Sequence, residues 1–426
     1  MFQTLVKAFK IKEIRSKILI TIALLFVYRL GCYIPVPGVG IMSDMGQYNY
    51  LQIMSAVTGG ALQYGSLFAM GIGPYINASI IVQLLSVGIP ALANLSKQGE
   101  EGRKKLSNIT RYVTLILAIV QSVGILVGFS AAVDTTKIFN VGAEHSTFLH
   151  VLSYIFLVFV YTAGAAITMW LGERITDYGV SNGISMLIFA GILATAGTAI
   201  TNMFMNFTLT SLWKILGFAV AAVVIFGAIV TVDNAERKIP VQYAKQVKGR
   251  KMYGGSSTNI PIKLNASGVM PLIFAFAILS FPDLIINLVG MKDSWWTRNM
   301  GAGSVPYTIV MCVLIVFFAY FYQSMQFNPD DISKSIQGNG GFIPGIRPGK
   351  PTADHLKKIS NRITLFGAIY LALVALIPSL VFGFISTSLT GVFSATGLLI
   401  IVSVALEFNQ ALESQIMMKN YKGFLK

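Results

Sequence analysis

The sequence predicts an all-α polytopic membrane protein, and three observations lead to this fold class. Hydrophobic residues make up 54% of the 426 residues and charged residues only 12%, with a mean hydropathy of +0.69. The apolar residues are gathered in blocks of about twenty, long enough for a helix to cross the ~30 Å hydrocarbon core of a bilayer. Ionisable side chains avoid the middle of these blocks, and the nearest ones, Arg29, Asp233 and Asp283, lie toward block ends. This distribution excludes a soluble fold.

Ten segments have the length and apolarity to cross the membrane. They are residues 18–33, 67–89, 112–132, 148–171, 184–204, 212–232, 268–290, 305–325, 363–384 and 392–408.

Because basic residues in short loops stay on the cytoplasmic side, the distribution of lysine and arginine predicts the orientation of the chain in the membrane. One side holds 27 of the 32 lysines and arginines, and the other holds only Arg29, Lys137, Lys214, Lys292 and Arg298. We therefore expect both ends of the chain in the cytoplasm, with the basic N-terminal segment retained because no small-residue cleavage site follows it.

Residues 51–62 are apolar but too few to cross. A helix of this length rises ~18 Å, at about 1.5 Å per residue, against a core of ~30 Å. We expect it to enter the membrane without crossing it. The next segment, 67–89, can cross, but it carries residues that lipid does not favour, namely Gly71, Gly73, Pro74, Asn77, Ser79 and Gln83. The pattern predicts that Pro74 interrupts this helix, and that the helix borders a cavity where protein or water satisfies the freed backbone.

The segment 268–290 holds the same place in the second group of five segments as 67–89 holds in the first. It also begins with small and polar residues, NASGVMPLIFAF, and contains Pro271. Paired interrupted spans indicate an internal duplication with a functional site between the halves. We therefore divide the chain into an N-terminal half, residues 1–204, and a C-terminal half, residues 205–426.

Two large loops are expected on the cytoplasmic side. Residues 234–264 carry seven basic residues against one acidic residue, Glu236, and their alternating pattern predicts a short hairpin. Residues 327–362 are rich in Gly and Pro, which favours a stiff finger of turns with Arg347 near its tip. In the tight turn after the fourth segment, helical spacing predicts that Glu173, Arg174 and Asp177 pair among themselves.

The sequence lacks the usual signatures of catalysis and ion coupling. It contains no phosphate-binding loop, no metal-ligand spacing and no nucleophile elbow, so any energy source must belong to a partner. Mid-membrane charges, which ion-coupled carriers generally need, are missing as well, although a sodium site lined by carbonyls would leave no such trace. Cys32 and Cys312 both lie in spans, and we assign them no disulfide.

Isoleucines stand beside the predicted helix breakers. Ile72 and Ile76 flank Pro74 and share a helical face, Ile188 and Ile192 do the same in the fifth segment, and Ile273 follows Pro271. Each of them alone fits a core or lipid-facing position. Arranged as a collar, they would form a narrow dry neck that blocks ions by dewetting and makes no directional demand on what passes.

Four stretches together resemble a known family. They are GIGPYINASIIVQLL, WLGERITDYGVSNGISMLIFAGI, ERKIPVQYAKQVKGRKMYGGSSTNIPIKLN and GGFIPGIRPGKPT, and they closely resemble the SecY family of channel subunits of the bacterial protein translocase. The resemblance implies ten transmembrane helices in two pseudo-symmetric five-helix halves around an hourglass pore with a plug helix. By the same resemblance, the pore ring falls at Ile72, Ile76, Ile188, Ile192, Ile273 and Ile400, with Ile192 adjacent to the ring proper. The segment 51–62 resembles the plug, which includes Leu51, Ile53, Met54, Val57, Thr58, Gly59 and Gly60.

The resemblance also implies a lateral gate and docking surfaces. Spans two and seven would face each other as the gate, with spans three and eight beside them, and would release apolar segments into lipid. Gln83, Gln121 and Asn265 are candidates for polar contacts across this gate, or each satisfies a backbone group nearby. Arg347 matches an important loop arginine of the family. The basic lobe is matched by Arg237, Lys238, Lys245, Lys248, Arg250 and Lys251, which also suit the setting of topology.

The resemblance implies a protein-conducting channel of the bacterial inner membrane that needs no cofactor and is not itself an enzyme. The implied partners are the SecE and SecG subunits, the SecA motor ATPase, the ribosome through its rRNA, the receptor of the signal recognition particle, signal peptides, nascent polypeptide and the lipid bilayer. Two other functions remain open from the residues alone: a solute carrier with an inverted repeat, which shares the broken spans, and a membrane scaffold that docks the ribosome without conducting.

Overall fold

A computed structural model describes most of the chain as long helices joined to one small β-sheet unit. The described residues are 2–42, 54–134, 138, 147–205, 212–243, 246–248, 251–253, 257–265, 268–289, 295–300, 304–385 and 395–423. The helices of the first half are α1 (Phe2–Lys10), α2 (Lys12–Gly31), α3 (Gly73–Gly88), α4 (Pro90–Lys97), α5 (Gly99–Gly128), α6 (Thr147–Tyr178) and α7 (Gly183–Met205). Those of the second half are α8 (Leu212–Asp233), α9 (Met270–Val289), α10 (Trp295–Asn299), α11 (Val305–Gln326), α12 (Pro329–Gly338), α13 (Lys350–Ile385) and α14 (Ala395–Gly423).

Each of the ten predicted crossing segments contains a helix, which confirms the all-α polytopic fold class. Within the described residues, seven helices are long and apolar enough to cross a membrane, namely α5, α6, α7, α8, α11, α13 and α14. The other three predicted segments correspond to α2, α3 and α9. Of these, α2 begins with charged residues and α3 has only 16 residues, while α9 contributes the shorter apolar stretch Met270–Leu279.

The second crossing segment begins later than predicted. Residues 67–72 form turns, and α3 starts only at Gly73. Pro74 lies in the first turn of α3, where its missing N–H has no intrahelical partner to lose, and the carbonyl of Met70 accepts a hydrogen bond from the N–H of Gly73 at 3.3 Å. The prediction that Pro74 interrupts a continuous helix was therefore wrong. Pro271 is likewise the second residue of α9, so both prolines start helices.

The helices of the two halves pack against each other as well as among themselves. In the first half α3 packs on α5 and α5 on α6, while in the second half α9 packs on α11 and α11 on α13. Between the halves, α5 packs on α9, and both α1 and α7 pack on α14. The interior that results has residues from both halves at its centre.

The two large loops fold together as one β-sheet unit. Strand β1 (Glu236–Tyr243) pairs antiparallel with β4 (Ser257–Lys263), from Glu236 opposite Lys263 to Gln242 opposite Ser257. Strand β5 (Gly341–Phe342), from the second loop, adds to the free edge of β1. The predicted hairpin is confirmed, but Met252 lies in β3 (Lys251–Tyr253), which pairs with β2 (Gln246–Lys248) rather than with β1.

The sheet unit has its own hydrophobic core. Alternate residues of β1 and β4 point inward and pack against the second loop and its helices, and this core contains Ile239, Val241, Ile262, Ile336, Ile343 and Leu356. The sequence treats the two loops as separate projections, whereas the structure joins them into a single body beside the helices.

Candidate functional site

The six isoleucines that the sequence singles out lie together in one hydrophobic cluster. Four are almost completely buried, with exposed fractions of 3% for Ile72, 5% for Ile188, 2% for Ile192 and 6% for Ile400. Ile76 and Ile273 pack against them. The six come from α3 and its N-cap, α7, α9 and α14, so both halves of the chain contribute. These side chains lie in the interior and not on the lipid-facing surface.

A cavity of about 240 Å³ lies against this isoleucine cluster. Ile188, Ile273 and Ile400 form part of its wall. The rest of the wall includes polar residues at the ends of α8 and β4 and along α14, namely Asp233, Lys263, Asn265, Ser403, Glu407 and Gln410. The cavity therefore joins an apolar floor to a polar rim beside the sheet unit.

The described part of the predicted plug packs against the same cluster. Residues 54–57 form a helical turn that is followed by further turns, while Leu51 and Ile53 lie outside the described residues. Met54 and Thr58 are buried, and Val57 packs against the isoleucine cluster. Gly59 and Gly60 have φ angles of 68° and 85°, a left-handed conformation that glycine adopts without steric cost.

Small residues of α7 hold the plug residues at short range. The backbone of Gly191 touches the carbonyl of Val57 so closely that a Cβ at position 191 would overlap this oxygen. One turn later, the Thr195 hydroxyl donates a hydrogen bond to the carbonyl of Ala56 at 2.9 Å. Sequence reasoning missed both residues. A run of small residues in α7, FAGILATAG, was the available signal for a close approach of another segment.

The residues before α3 also accommodate the plug. A Cβ on Gly73 would overlap the methyl group of Met54, and a Cβ on Gly71 would lie 2.6 Å from Thr58 Cγ2. Thr168 of α6 supports this segment by donating a hydrogen bond to the carbonyl of Gly71 at 2.7 Å. The glycines that looked unsuited to lipid thus make room for the plug side chains.

Arg29, near the end of α2, lies against Gly59 of the plug. Its guanidinium would overlap a Cβ at Gly59, whose φ of 68° also favours glycine. The guanidinium also lies 5.3 Å from the ring centroid of Tyr33 and donates a hydrogen bond to its hydroxyl at 3.3 Å. Sequence analysis noted Arg29 only for topology.

Of the three predicted gate residues, Gln83 makes a polar contact between the halves. The Tyr322 hydroxyl of α11 donates a hydrogen bond to Gln83 Oε1 of α3 at 2.5 Å, and Gln83 Nε2 donates to Ser79 Oγ at 3.1 Å. Next to this bond, Ile80 of α3 packs in a cluster with Phe274 of α9 and with α11. Among the described residues, the contact between α3 and the second half is therefore apolar around the polar bridge from Gln83 to Tyr322.

Gln121 and Asn265 are placed differently. Gln121 is buried in α5, and its Oε1 has no hydrogen-bond partner within the described part of the chain. Asn265 donates through Nδ2 to Asp233 Oδ1 at 2.9 Å, so this contact lies inside the second half rather than between α3 and α9.

The predicted docking residues lie on the sheet unit. Arg237 and Lys238 are exposed on β1, where Lys238 pairs with Glu236 at 3.3 Å. Arg347 is exposed in the turn that follows β5. Lys248 and Lys251 are opposite each other in the β2–β3 hairpin, while Lys245 and Arg250 lie outside the described residues.

The prediction that Glu173, Arg174 and Asp177 pair among themselves was wrong for the two residues with visible partners. Glu173 accepts hydrogen bonds from Arg111 of α5 at 2.7 and 2.9 Å, a bidentate ion pair. Arg174 instead stacks on the rings of Trp170 and Tyr178. The packing of α5 on α6 brings a better partner to Glu173 than its own turn offers.

Comparison with known proteins decides the family. The family model described as SecY matches residues 66–409, which include most of both halves. The chain belongs to the SecY family. It is therefore a channel subunit of the protein-translocase type, a multi-pass membrane protein of protein transport, and the family and function predicted from the four sequence stretches are confirmed.

Curated relatives match this chain over nearly its whole length. The protein translocase subunit SecY of Streptomyces galbus is 41% identical over 441 residues, which cover 100% of both chains. The subunit of the same name from Staphylococcus aureus is 38% identical over 438 residues, which cover 100% of this chain and 99% of the relative.

Solved structures share the SecY fold at lower sequence identity. A structure described as a protein-conducting channel has a TM-score of 0.67 and 20% identity, and the match covers 94% of this chain and 92% of that chain. Sec61 in a canine ribosome–channel complex from the endoplasmic reticulum has a TM-score of 0.63 and 18% identity, with the same coverage.

Proposed function

We propose that this SecY-family chain conducts unfolded polypeptide through a neck made by the six isoleucines, between halves formed by residues 1–204 and 205–426. One observation carries the proposal: side chains from four helices of both halves meet in a single buried cluster beside a cavity. Branched apolar side chains around a narrow passage exclude water and ions. They offer no hydrogen bonds, so they do not discriminate between the side chains that pass.

The plug closes this neck in the resting state. Val57 packs against the isoleucine cluster. Met54 and Thr58 lie against Gly73 and Gly71, while Arg29 and Gly191 contact the backbone of the plug. Most of these are van der Waals contacts with glycine, and the hydrogen bond from Thr195 to the Ala56 carbonyl can be replaced by the Gly191 carbonyl, which the same hydroxyl reaches at 3.1 Å. The plug can therefore move aside when a polypeptide enters.

The lateral gate lies where α3 meets α9 and α11. Its apolar contact around Ile80 can be replaced by an equally apolar segment of a passing chain, and the Gln83–Tyr322 bond is the polar bridge that must break. A hydrophobic segment that separates these helices would reach lipid sideways. Signal peptides would enter by the same route.

The sheet unit is the docking surface for cytoplasmic partners. Its exposed cations, Arg237, Lys238 and Arg347, suit rRNA phosphates and acidic protein surfaces. The ribosome would dock there during synthesis, as would the receptor of the signal recognition particle, and the SecA ATPase afterwards. SecE and SecG would complete the assembly within the lipid bilayer. The chain itself would be a non-enzymatic channel of the bacterial inner membrane, with both termini in the cytoplasm.

Vesicles reconstituted with the chain and its companion subunits test this function directly. With SecA, ATP and an unfolded precursor, we expect the precursor to become protected from added protease inside the vesicles. Uptake of small solutes without precursor entry would favour an inverted-repeat carrier instead. Ribosome binding without either activity would favour a scaffold.

The neck is tested by making it polar. Replacing Ile72 and Ile76 with serine is expected to raise the resting ion conductance of the vesicles several-fold, because water can then wet the constriction. Serine at Ile116 and Ile119 of α5, whose side chains are exposed on the helix surface, is the matched control and should leave the conductance unchanged. Equal conductance in the two double variants would show that Ile72 and Ile76 do not form the neck.

A further inference from the structure

Asp233, the last residue of α8, lies in the cavity wall as a carboxylate held by neutral donors. Asn265 Nδ2 donates to its Oδ1 at 2.9 Å, and the Ser403 hydroxyl donates to its Oδ2 at 2.6 Å. Neither donor cancels the negative charge. Within the described residues, no lysine or arginine forms an ion pair with Asp233.

Asn265 adds a second acceptor beside this carboxylate. Its side chain lines the same cavity, only 7% of the residue is exposed, and its Oδ1 has no hydrogen-bond partner among the residues that the structure describes. A buried carbonyl oxygen without a donor costs free energy, which a ligand that brings a donor can recover. The two oxygens, from Asp233 and Asn265, therefore favour a group that is both cationic and a hydrogen-bond donor.

The described charges of the cavity lining are of both signs, with the acidic residues in excess. Glu407 is also acidic and lines the wall. Lys263 is the basic residue of the lining, but it is exposed at the end of β4, and its Nζ donates to Gln410 Oε1 at 3.1 Å. With two acidic residues and one basic residue, the lining carries a net negative charge.

The position of these acceptors links them to passage through the neck. Ser403, which holds Asp233, is one helical turn from Ile400, and Ile273 lies in the same wall. A polypeptide that has reached the isoleucine cluster from this side therefore has part of its length beside Asp233.

We propose that Asp233 and Asn265 bind a lysine or arginine side chain of the entering polypeptide, and so retain a basic leading segment at this mouth while the apolar residues behind it engage the neck. This proposal rests on the proposed function, since it assigns a ligand to the mouth of the same channel. The carboxylate supplies the charge and the amide oxygen a second acceptor. Retention of a basic segment would favour a loop-like insertion of the following chain.

Three precursors that differ only in the leading segment test this binding, with three lysines, three glutamines or three glutamates before the same apolar stretch. For the chain with Asp233→Asn, we expect transport of the lysine precursor to fall about fivefold, in the range of one partly exposed ion pair. Transport of the glutamine precursor should not change. Transport of the glutamate precursor should rise, and a folding defect cannot produce such a gain.

The control is Asp354→Asn, which removes the same charge from an exposed position on α13. It should change none of the three rates. An equal loss with all precursors would overturn the proposal, because Asp233 would then serve only to hold Asn265 and α14 in place. Unchanged rates would overturn it as well. If the unaltered chain transports none of the precursors, the proposed function fails, and this inference fails with it.

Discussion

Gly191 and Thr195 show how single small residues position the plug. The backbone of α7 at Gly191 touches the Val57 carbonyl, and the Thr195 hydroxyl bonds the neighbouring carbonyl of Ala56. Any side chain larger than hydrogen at position 191 would hold the two backbones apart. Under the proposed function, the seal of the resting channel depends on the absence of one methyl group.

Gly191→Ala should displace the plug. The added Cβ overlaps a backbone oxygen, which cannot rotate away as a flexible side chain would, and such overpacking costs about 1–3 kcal/mol. We expect a lower melting temperature in detergent and a several-fold higher resting ion conductance in vesicles.

Gly197→Ala on the same helix is the control for this substitution. A Cβ at Gly197 would meet nothing within 4 Å, and the residue is exposed. Alanine there should stabilise the helix by about 0.5–1 kcal/mol through its higher helix propensity. If both alanine variants leave the conductance unchanged, the contact at Gly191 does not maintain the seal.

Residue positions could be predicted from sequence only where local context marks them. Five of the six isoleucines stand near prolines or within recognisable family stretches, Ile400 was implied only by the resemblance, and all six meet in one cluster. Gly191 escaped notice because nothing in α7 indicates which distant segment its backbone touches. Glu173 was assigned to its own turn because the competing partner, Arg111, is 62 residues away in the chain and becomes a neighbour only through helix packing.

At the scale of elements, α3 and α11 meet through one strong polar contact. The Tyr322 hydroxyl donates to Gln83 at 2.5 Å, and apolar residues surround the bond. In an environment with little water, such a bond resists separation more than the same bond on a surface would. It is therefore suited to set the threshold at which the two helices part.

Tyr322→Phe should lower that threshold. The substitution keeps the ring and its packing on Phe274 but removes the donor, at a cost of about 1 kcal/mol, which corresponds to about a fivefold shift toward the open arrangement. We expect more efficient transport of a precursor whose signal segment has been made less hydrophobic.

Tyr320→Phe separates this effect from general loosening of α11. The Tyr320 hydroxyl donates to the carbonyl of Asn361 on α13 at 3.4 Å, a contact within the second half. That variant should transport the weakened precursor no better than the unaltered chain. Identical gains in both variants would show that the bond to Gln83 does not control separation of the halves.

Hydropathy located the helices but not all of their ends. An apolar run such as 67–72 reads as part of a span, yet it folds as turns because Gly71 has a φ of 50° and the plug occupies the adjacent space. The β-sheet unit was only half predictable. Alternation revealed the hairpin, but the pairing of β5 with β1 joins residues about a hundred positions apart, and no local pattern encodes it.

At the scale of the whole molecule, most basic residues of the sequence belong to the chain ends and to the loops that include the sheet unit. Thr4 of α1 donates a hydrogen bond to Glu413 of α14 at 3.2 Å, and Glu13 forms an ion pair with Lys419. The two ends therefore lie on the same side, as an even number of crossings requires. Under the proposed function, the basic residues that are predicted to set the orientation also supply a surface for anionic partners.

Arg347→Glu should impair transport driven by SecA without unfolding the chain. The side chain is exposed in the turn after β5, and the neighbouring Ile343 and Ile346 anchor this turn in the core of the sheet unit, so the fold does not depend on the charge. We expect normal expression and an unchanged melting temperature, with transport in vesicles reduced several-fold.

Lys334→Glu, at an exposed position on α12 of the same unit, makes the same change in net charge and should have a much smaller effect. Both variants change the net charge of the sheet unit by the same amount. A larger loss of transport for Arg347→Glu would therefore indicate a specific contact at Arg347. Equal losses would mean that only the total positive charge of the surface matters.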